Sequence, residues 1–175
     1  DRARREDTIA RMAELGRDVP SPRGQAQLEG NRTVFMDIYA AFAKYHMKRF
    51  GTTQRQLAAV AAKNHLHSVE NPLSQYRRAF SVDEILAARP IAWPLTLPMC
   101  SPISDGAAAA ILCSGEALKK YGAARAVRIR ANVLMNGGRR RPDEIEKHIS
   151  RRAALKAYEI SGLGPKDVDV VECHD

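Results

Sequence analysis

The stretch PMCSPISDGAAAAIL, residues 98–112, decides how the rest of this chain is read. A Ser-Pro turn and an Asp-Gly step lead into four consecutive alanines and then Ile111 and Leu112. Proline and glycine at these spacings mark a loop. The apolar run that follows, closed by Ser114-Gly115, is short enough for a buried strand, although length alone does not exclude a helix. A polar loop placed directly before a segment of almost no side-chain bulk fits close packing on the alanine side and a bound ligand on the loop side.

Downstream of this stretch the pattern alternates. GEALKKYG reads as a short helix and ARAVRIRANVL (124–134) as a strand. NGGRRR is a loop, and Pro142, Asp143 and Glu144 stand in the preferred order for the first turn of a long helix. Ile145, Ile149, Ala153 and Ala157 mark the inner face of that helix; SGLGP ends it, and DVDVVEC follows as a last strand. Strand–helix–strand–helix–strand is the order of an α/β fold.

Upstream the chain reads as helix and loop. Residues 1–32 are charged and loosely patterned, with a short helix at 3–15 and a loop at GRDVPSPRGQ. Phe35, Ile38, Tyr39, Phe42, His46 and Phe50 recur at three- and four-residue steps, one stripe of a helix. Gly51 ends it, Thr52 or Thr53 caps the next helix, and Leu57, Val60 and Ala61 point inward. Ser81 with Glu84 forms a capping box for a short helix that stops before Pro90.

Composition narrows the function classes. With 175 residues and 45% hydrophobic content the chain is sized for one globular domain, or a domain with an appendage. No run of about 18 apolar residues is present, and the basic N-terminus lacks the apolar core of a secretory signal. The first residue is not Met and the last strand is cut short, so an internal piece of a larger protein is expected. Three widely spaced cysteines form neither a disulfide framework nor a Cys-x-x-Cys metal knuckle, which fits a reducing, cytoplasmic compartment and no metal site. A net charge of +8 implies affinity for anions, either a polynucleotide or a phosphorylated small molecule.

The chemical candidates weigh as follows. Cys173 and His174 are adjacent on a strand and project to opposite faces, so they form no dyad. Cys173 and Cys113 read as small buried hydrophobes. His174 and Asp175 stand at the carboxyl end of a strand, where open α/β sheets bind ligands. A histidine there can donate to a developing oxyanion, or be structural. His65 and His67, two apart at a helix end, do not make a metal site, and loop hydrogen bonding by Asn64 and Asn71 is the better account. Arg139, Arg140 and Arg141, with Arg128, Arg130, Arg151 and Arg152, form a basic cluster. Aromatic residues are 6% of the chain and lie in the first helical stripe rather than among these arginines, so nucleic-acid stacking is disfavoured. A solvated face, or neutralisation of a few phosphates, needs no aromatics.

These segments resemble the thiolase superfamily. PMCSPISDGAAAAIL is similar to the thiolase loop and strand N-A-S-G-x-N-D-G-A-A-A. DVDVVECHD resembles the strand ending N-E-A-F in common thiolases and H-D-C-F in the sterol-carrier-protein branch. RPIAWPLT and TVFMDIYAAFAKYHMKRFGTT, with KNH and NP after it, resemble that branch and its bacterial lipid-transfer-protein relatives. The likeness runs from Thr33 to the last residue.

The resemblance implies a partial thiolase-like α/β fold: a helical loop domain at 1–92, the end of the N-terminal half at 93–130 and the start of the C-terminal half at 131–175. It implies that Ser101 lies against the pantetheine arm of coenzyme A, with Cys100 in an alanine position and therefore not a nucleophile. Pro102 replaces the usual glycine. His174 matches the Asn of N-E-A-F, an oxyanion-hole donor of the kind often worth about 3 kcal/mol; Asp175 matches the Glu and orients structure. The nucleophilic cysteine is expected before Asp1, and the catalytic histidine and second cysteine after Asp175, so the chain alone is expected to be inactive. The parent would be an acyltransferase of lipid metabolism acting on 3-oxoacyl-CoA, with acyl-CoA as substrate and no tightly bound cofactor. Alternatives on the same scaffold are a retro-aldolase of steroid or lipid side-chain thioesters, often with an OB-fold partner subunit, and a non-catalytic acyl-CoA or lipid carrier. Homo-oligomers, dimers or tetramers, are the family's usual assembly, away from membranes; a basic RNA-binding module is the reading from outside the family.

Overall fold

The computed structural model describes residues 10–12, 14–22, 34–122, 124–138, 140–141 and 143–173. The chain divides into two compact units, Asp1–Gly106 and Ala107–Asp175, each described on its own.

In the first unit, α1 spans Val34–Phe50 and ends where Gly51, with φ +71°, donates its amide to the Met47 carbonyl at 2.9 Å. Ile38, Ala40 and Ala41 are its buried residues, while Phe35, Tyr39 and Phe50 are exposed. The expected stripe is therefore only partly a core face: Ile38 is buried, and its aromatic neighbours pair along the helix. Tyr39 meets Phe42 edge-on at 6.4 Å and His46 meets Phe50 at 4.6 Å. Thr53 caps α2, Gln54–Val69, through a capping box with Gln56. Its inner face is centred on Ala58, which has 0% exposure, and Val60 points outward at 55%. The inward assignment of Val60 is thus corrected: the buried position is Ala58, two residues earlier. The small side chain at Ala58 leaves room for the neighbouring helix to approach.

That neighbour is α3, Val82–Ala87, capped as expected by Ser81 and Glu84. The Glu84 carboxylate accepts from the Ser81 amide at 2.8 Å, and the Ser81 hydroxyl accepts from the Glu84 amide at 3.2 Å. Arg55 on α2 reaches Asp83 at 2.6 Å. Ile85 is fully buried, a side chain whose removal from water is worth about 1.5–3 kcal/mol. Next comes a hairpin that the sequence pattern did not announce. β1, Pro90–Ala92, pairs antiparallel with β2, Leu95–Thr96, across the Trp93-Pro94 turn. The Thr96 hydroxyl, buried, donates to the Ile85 carbonyl at 2.7 Å. A 3-10 helix, Leu97–Met99, follows directly. Further upstream, the turn at Gly16 lies against α1. A Cβ at Gly16 would stand 2.6 Å from the Lys44 Cβ and 2.9 Å from the Tyr45 amide nitrogen, at a φ of +71°. The Asp18 carboxylate pairs with Lys48.

The second unit is organised differently. α4, Gly115–Tyr121, is capped by Ser114, and α5, Ile149–Ser161, ends at Gly162 in the left-handed region with φ +68°. The long helix begins later than Pro142, which lies outside the described residues. Glu144 turns back to accept from the Arg141 amide at 2.8 Å, a 3-10 helix covers Ile145–Lys147, and His148 caps α5 by accepting from the Ser150 amide. Ile149, Ala153 and Ala157 are half-buried, and Ile145 is exposed. The strands expected at 107–113, 124–134 and 168–173 are not formed: these residues run without a ladder and are nearly all exposed. A strand satisfies its amides and carbonyls only beside another strand, and among the described residues none of these segments has one. No described residue of this unit is buried.

Two predictions follow from the packing of the first unit. Gly16→Ala combines a positive-φ strain with a backbone clash and is expected to lower unfolding free energy by about 2–4 kcal/mol. Gly51→Ala, at the same φ but with nothing within 4 Å, is expected to cost about 1 kcal/mol. Urea midpoints of both variants check the order; equal losses would show that the close approach at Gly16 does not matter.

Acid should also loosen the caps. The Ser81 amide and hydroxyl, with Arg78 beside them, hold the Glu84 carboxyl below its ordinary value of 4.5. Lys48 does the same for Asp18. Carboxyls depressed on folding contribute stability above their unfolded values and lose it as pH falls through the folded ones. Stability is therefore expected to drop between about pH 5 and pH 3, and more shallowly in Glu84→Gln, when denaturant midpoints are compared across that range.

Candidate functional site

The loop that begins at Cys100 is held from two sides before it is released to solvent. On one side the Thr96 hydroxyl is fixed to the α3 carbonyl of Ile85. On the other, the His65 imidazole of α2 reaches the Pro98 carbonyl through Nε2 at 2.9 Å. A carbonyl only accepts, so His65 carries its proton on Nε2 in this contact. The Cys100 amide then closes the 3-10 helix on the Leu97 carbonyl at 3.1 Å, and its Sγ donates weakly to the Thr96 carbonyl at 3.6 Å. Cys100 is half-buried, and Ser101 and residues 102–106 are exposed. Ser101 is thus the first exposed residue after an anchored turn, a position from which a hydroxyl can meet a ligand.

The other candidates stand apart from this loop. His174 and Asp175, the oxyanion-hole assignment, lie outside the described residues. Cys113 and Cys173 are both exposed, which corrects their expected burial. The alanines at 107–110 are exposed too, rather than packed between layers. Both differences have the cause given for the missing strands: among the described residues of this unit no layer covers them. His65 and His67 sit inside α2, where two-residue spacing turns them to different sides; His65 is half-buried and His67 exposed. Asn71 does take the loop role expected of it, accepting from the Leu73 amide at 3.0 Å, whereas Asn64, expected in the same role, lies within α2 and is exposed. Among the described residues, no group of three or more His, Cys, Asp or Glu could hold a metal ion.

The arginine cluster engages local partners. Arg141 donates to Asp143 at 3.1 Å, which raises its already high pKa, and Arg140 donates to the Arg141 carbonyl at 3.2 Å. Lys147 and the Arg141 amide hold the Glu144 carboxyl below its ordinary range. Arg151 pairs with Glu146, and Arg130 donates to the Ser161 carbonyl at 2.9 Å. Arg139 lies outside the described residues. Carboxylates interleaved at this density fit a solvated, self-neutralising face better than a phosphate track.

The contact that sequence reasoning missed is the His65–Pro98 bond. The only trace of it in the sequence is the position of His65 on the inner face of α2, seven residues after Ala58. No helix among the described residues is long and apolar enough to cross a membrane.

No family model matches the chain. Curated relatives do. Over 79% of its length the chain is 42% identical to "Sterol carrier protein 2" from Oryctolagus cuniculus, covering 26% of that protein. It is 38% identical to "Benzoylsuccinyl-CoA thiolase subunit BbsB" from Thauera aromatica, over 78% of this chain and 36% of the relative. An "Acetyl-CoA acetyltransferase" from Methanothermobacter thermautotrophicus is 37% identical over 81% of this chain and 37% of its own length. The chain therefore spans between about a quarter and two fifths of these relatives. Helices joined to a small sheet, with this similarity, make up part of a thiolase-like α/β fold. The chain belongs to the thiolase superfamily, on the branch of the sterol-carrier-protein and lipid-transfer-like proteins.

Proposed function

We propose that this chain is the loop-domain and mid-molecule portion of a thiolase-like acyl-CoA enzyme that transfers or thiolyses acyl groups of 3-oxoacyl-CoA. The observation that carries this reading is its similarity to two proteins whose names state coenzyme A thioester chemistry, a thiolase subunit and an acetyltransferase. In this reading residues 1–92 form the loop domain, 93–130 close the first α/β half and 131–175 open the second. Ser101 meets the pantetheine arm of the thioester, supported by its exposure directly after the anchored turn. His174 supplies an oxyanion-hole donor. The nucleophilic cysteine belongs to sequence outside these 175 residues; the half-buried Cys100 spends its thiol on the Thr96 carbonyl. Coenzyme A thioester is substrate rather than resident cofactor, the assembly is a homo-oligomer, and the compartment is cytoplasmic.

A second reading, binding of acyl-CoA or lipid without turnover, draws on the 42% identity to a protein named as a sterol carrier. Calorimetric titration of acetyl-CoA into the chain, with Ser101→Ala beside it, tests the shared part of both readings. The alanine variant is expected to bind about threefold to tenfold more weakly, the loss of one neutral hydrogen bond. Equal binding would remove Ser101 from the site. Turnover separates the two readings' common scaffold from a self-sufficient enzyme: acetoacetyl-CoA thiolysis by this chain alone is expected to stay at background. Measurable thiolysis would mean that the nucleophile lies among Cys100, Cys113 and Cys173 after all.

A further inference from the structure

We infer that His65 is the positioning residue of the Ser101 loop: its imidazole on α2 fixes the Pro98 carbonyl and thereby the turn from which Cys100 and Ser101 depart. The inference deepens the reading of Ser101 as a coenzyme A contact and rests on it for its functional meaning.

Three observations carry it. The bond from His65 Nε2 to the Pro98 carbonyl spans 33 residues of sequence at 2.9 Å and is partly buried, so it is tertiary rather than local. Second, the imidazole has a defined seat. Its ring meets Phe80 edge-on at 4.8 Å, and the Arg78 guanidinium lies over that phenyl ring at 4.5 Å. The segment delivering Phe80 is itself tied to the end of α2, where Arg77 donates twice to the Val69 carbonyl at 3.2 and 3.1 Å. Third, Pro98 sits inside the 3-10 helix Leu97–Met99, whose closing amide is that of Cys100. The bond that closes this helix goes to the Leu97 carbonyl, so the Pro98 carbonyl takes its partner from elsewhere. His65 supplies it. Thr96, held by Ile85, fixes the start of the turn, and His65 fixes its middle. Without the second hold, the turn keeps its entry but not the direction in which Ser101 leaves.

The half-buried Cys100 thiol reports the state of this turn directly. In a Cys113→Ser, Cys173→Ser background, iodoacetamide reacts with Cys100 alone, at a rate set by how often the turn opens. His65→Leu keeps bulk but removes the donor and is expected to speed labelling about tenfold, as befits an unpartnered carbonyl. His65→Gln places an amide N–H at nearly the reach of Nε2 and is expected to stay within about twofold of the parent. If both variants speed equally, the effect is ring packing and the inference falls; it falls likewise if neither does. A measurement without variants guards against a leucine variant that does not fold. Long-range proton–nitrogen spectra of the wild-type chain at pH 8 should show His65 as the Nε2–H tautomer, and the Nδ1–H tautomer would overturn the assignment. Coenzyme A titration of the same set separates this inference from the one beneath it. Weaker binding in His65→Leu, restored in His65→Gln, supports both. Labelling and tautomer results as expected, with no coenzyme A binding by the wild type, retain His65 as the holder of the turn and discard the ligand assigned to Ser101.

Discussion

A backbone amide or carbonyl removed from water needs a partner, and where each segment of this chain finds one decides what forms. Helices answer the need from within a single segment. The hairpin β1–β2 answers it from two short strands, Pro90–Ala92 and Leu95–Thr96, on either side of Trp93-Pro94. The extended stretches of the second unit have no partner strand among the described residues and remain open to solvent. The first unit therefore has a core and the second has capped helices joined by extended chain. Every described buried residue, from Gly16 through Thr96, belongs to the first unit.

Within that unit the anchoring is done by few atoms. Ile85 contributes a fully buried side chain to one side of α3 and a carbonyl to the Thr96 hydroxyl. Gln54 at the start of α2 donates to the Pro94 carbonyl at 2.8 Å, and His65 further along the same helix takes the Pro98 carbonyl. One helix thus grips the hairpin tip and the turn beyond it. The loop that resembles the thiolase coenzyme A loop is free only past this second grip, so the scaffold ends where the chemistry of the family would begin.

What the sequence disclosed follows from how local each signal is. A cap at Thr52 or Thr53, the capping box at Ser81, the stop at Gly51 and the helix end at SGLGP are written in residues close in sequence; the structure selects Thr53, keeps the Ser81 box and the Gly51 stop, and ends the helix at Gly162. Val60 stands three residues after Leu57 and reads as inward with it and Ala61, yet it is 55% exposed, while the smaller Ala58 is fully buried. The strands were misjudged for a different reason. Alternation in 124–134 states which faces a strand would have, but not that a neighbour is present to pair with it. Of the candidate site, the position of Ser101 after a turn was legible from Pro98, Pro102 and the Asp-Gly step. The grip of His65 was not, because helical phase turns the residue inward but nothing local names a partner 33 residues away.

The exposed run at 124–134 also governs the colloidal behaviour of the chain. Val127 is 90% and Ile129 63% exposed, and Arg128 and Arg130 alternate with them. Two copies approaching edge to edge would bring guanidinium groups near one another before the apolar side chains could meet. That repulsion acts over roughly 8 Å at physiological ionic strength and about 3 Å in molar salt. Added salt, which protects many proteins from unspecific charge attraction, would here remove the barrier that keeps neighbouring molecules apart, so dilute buffer is the gentler solvent for this chain.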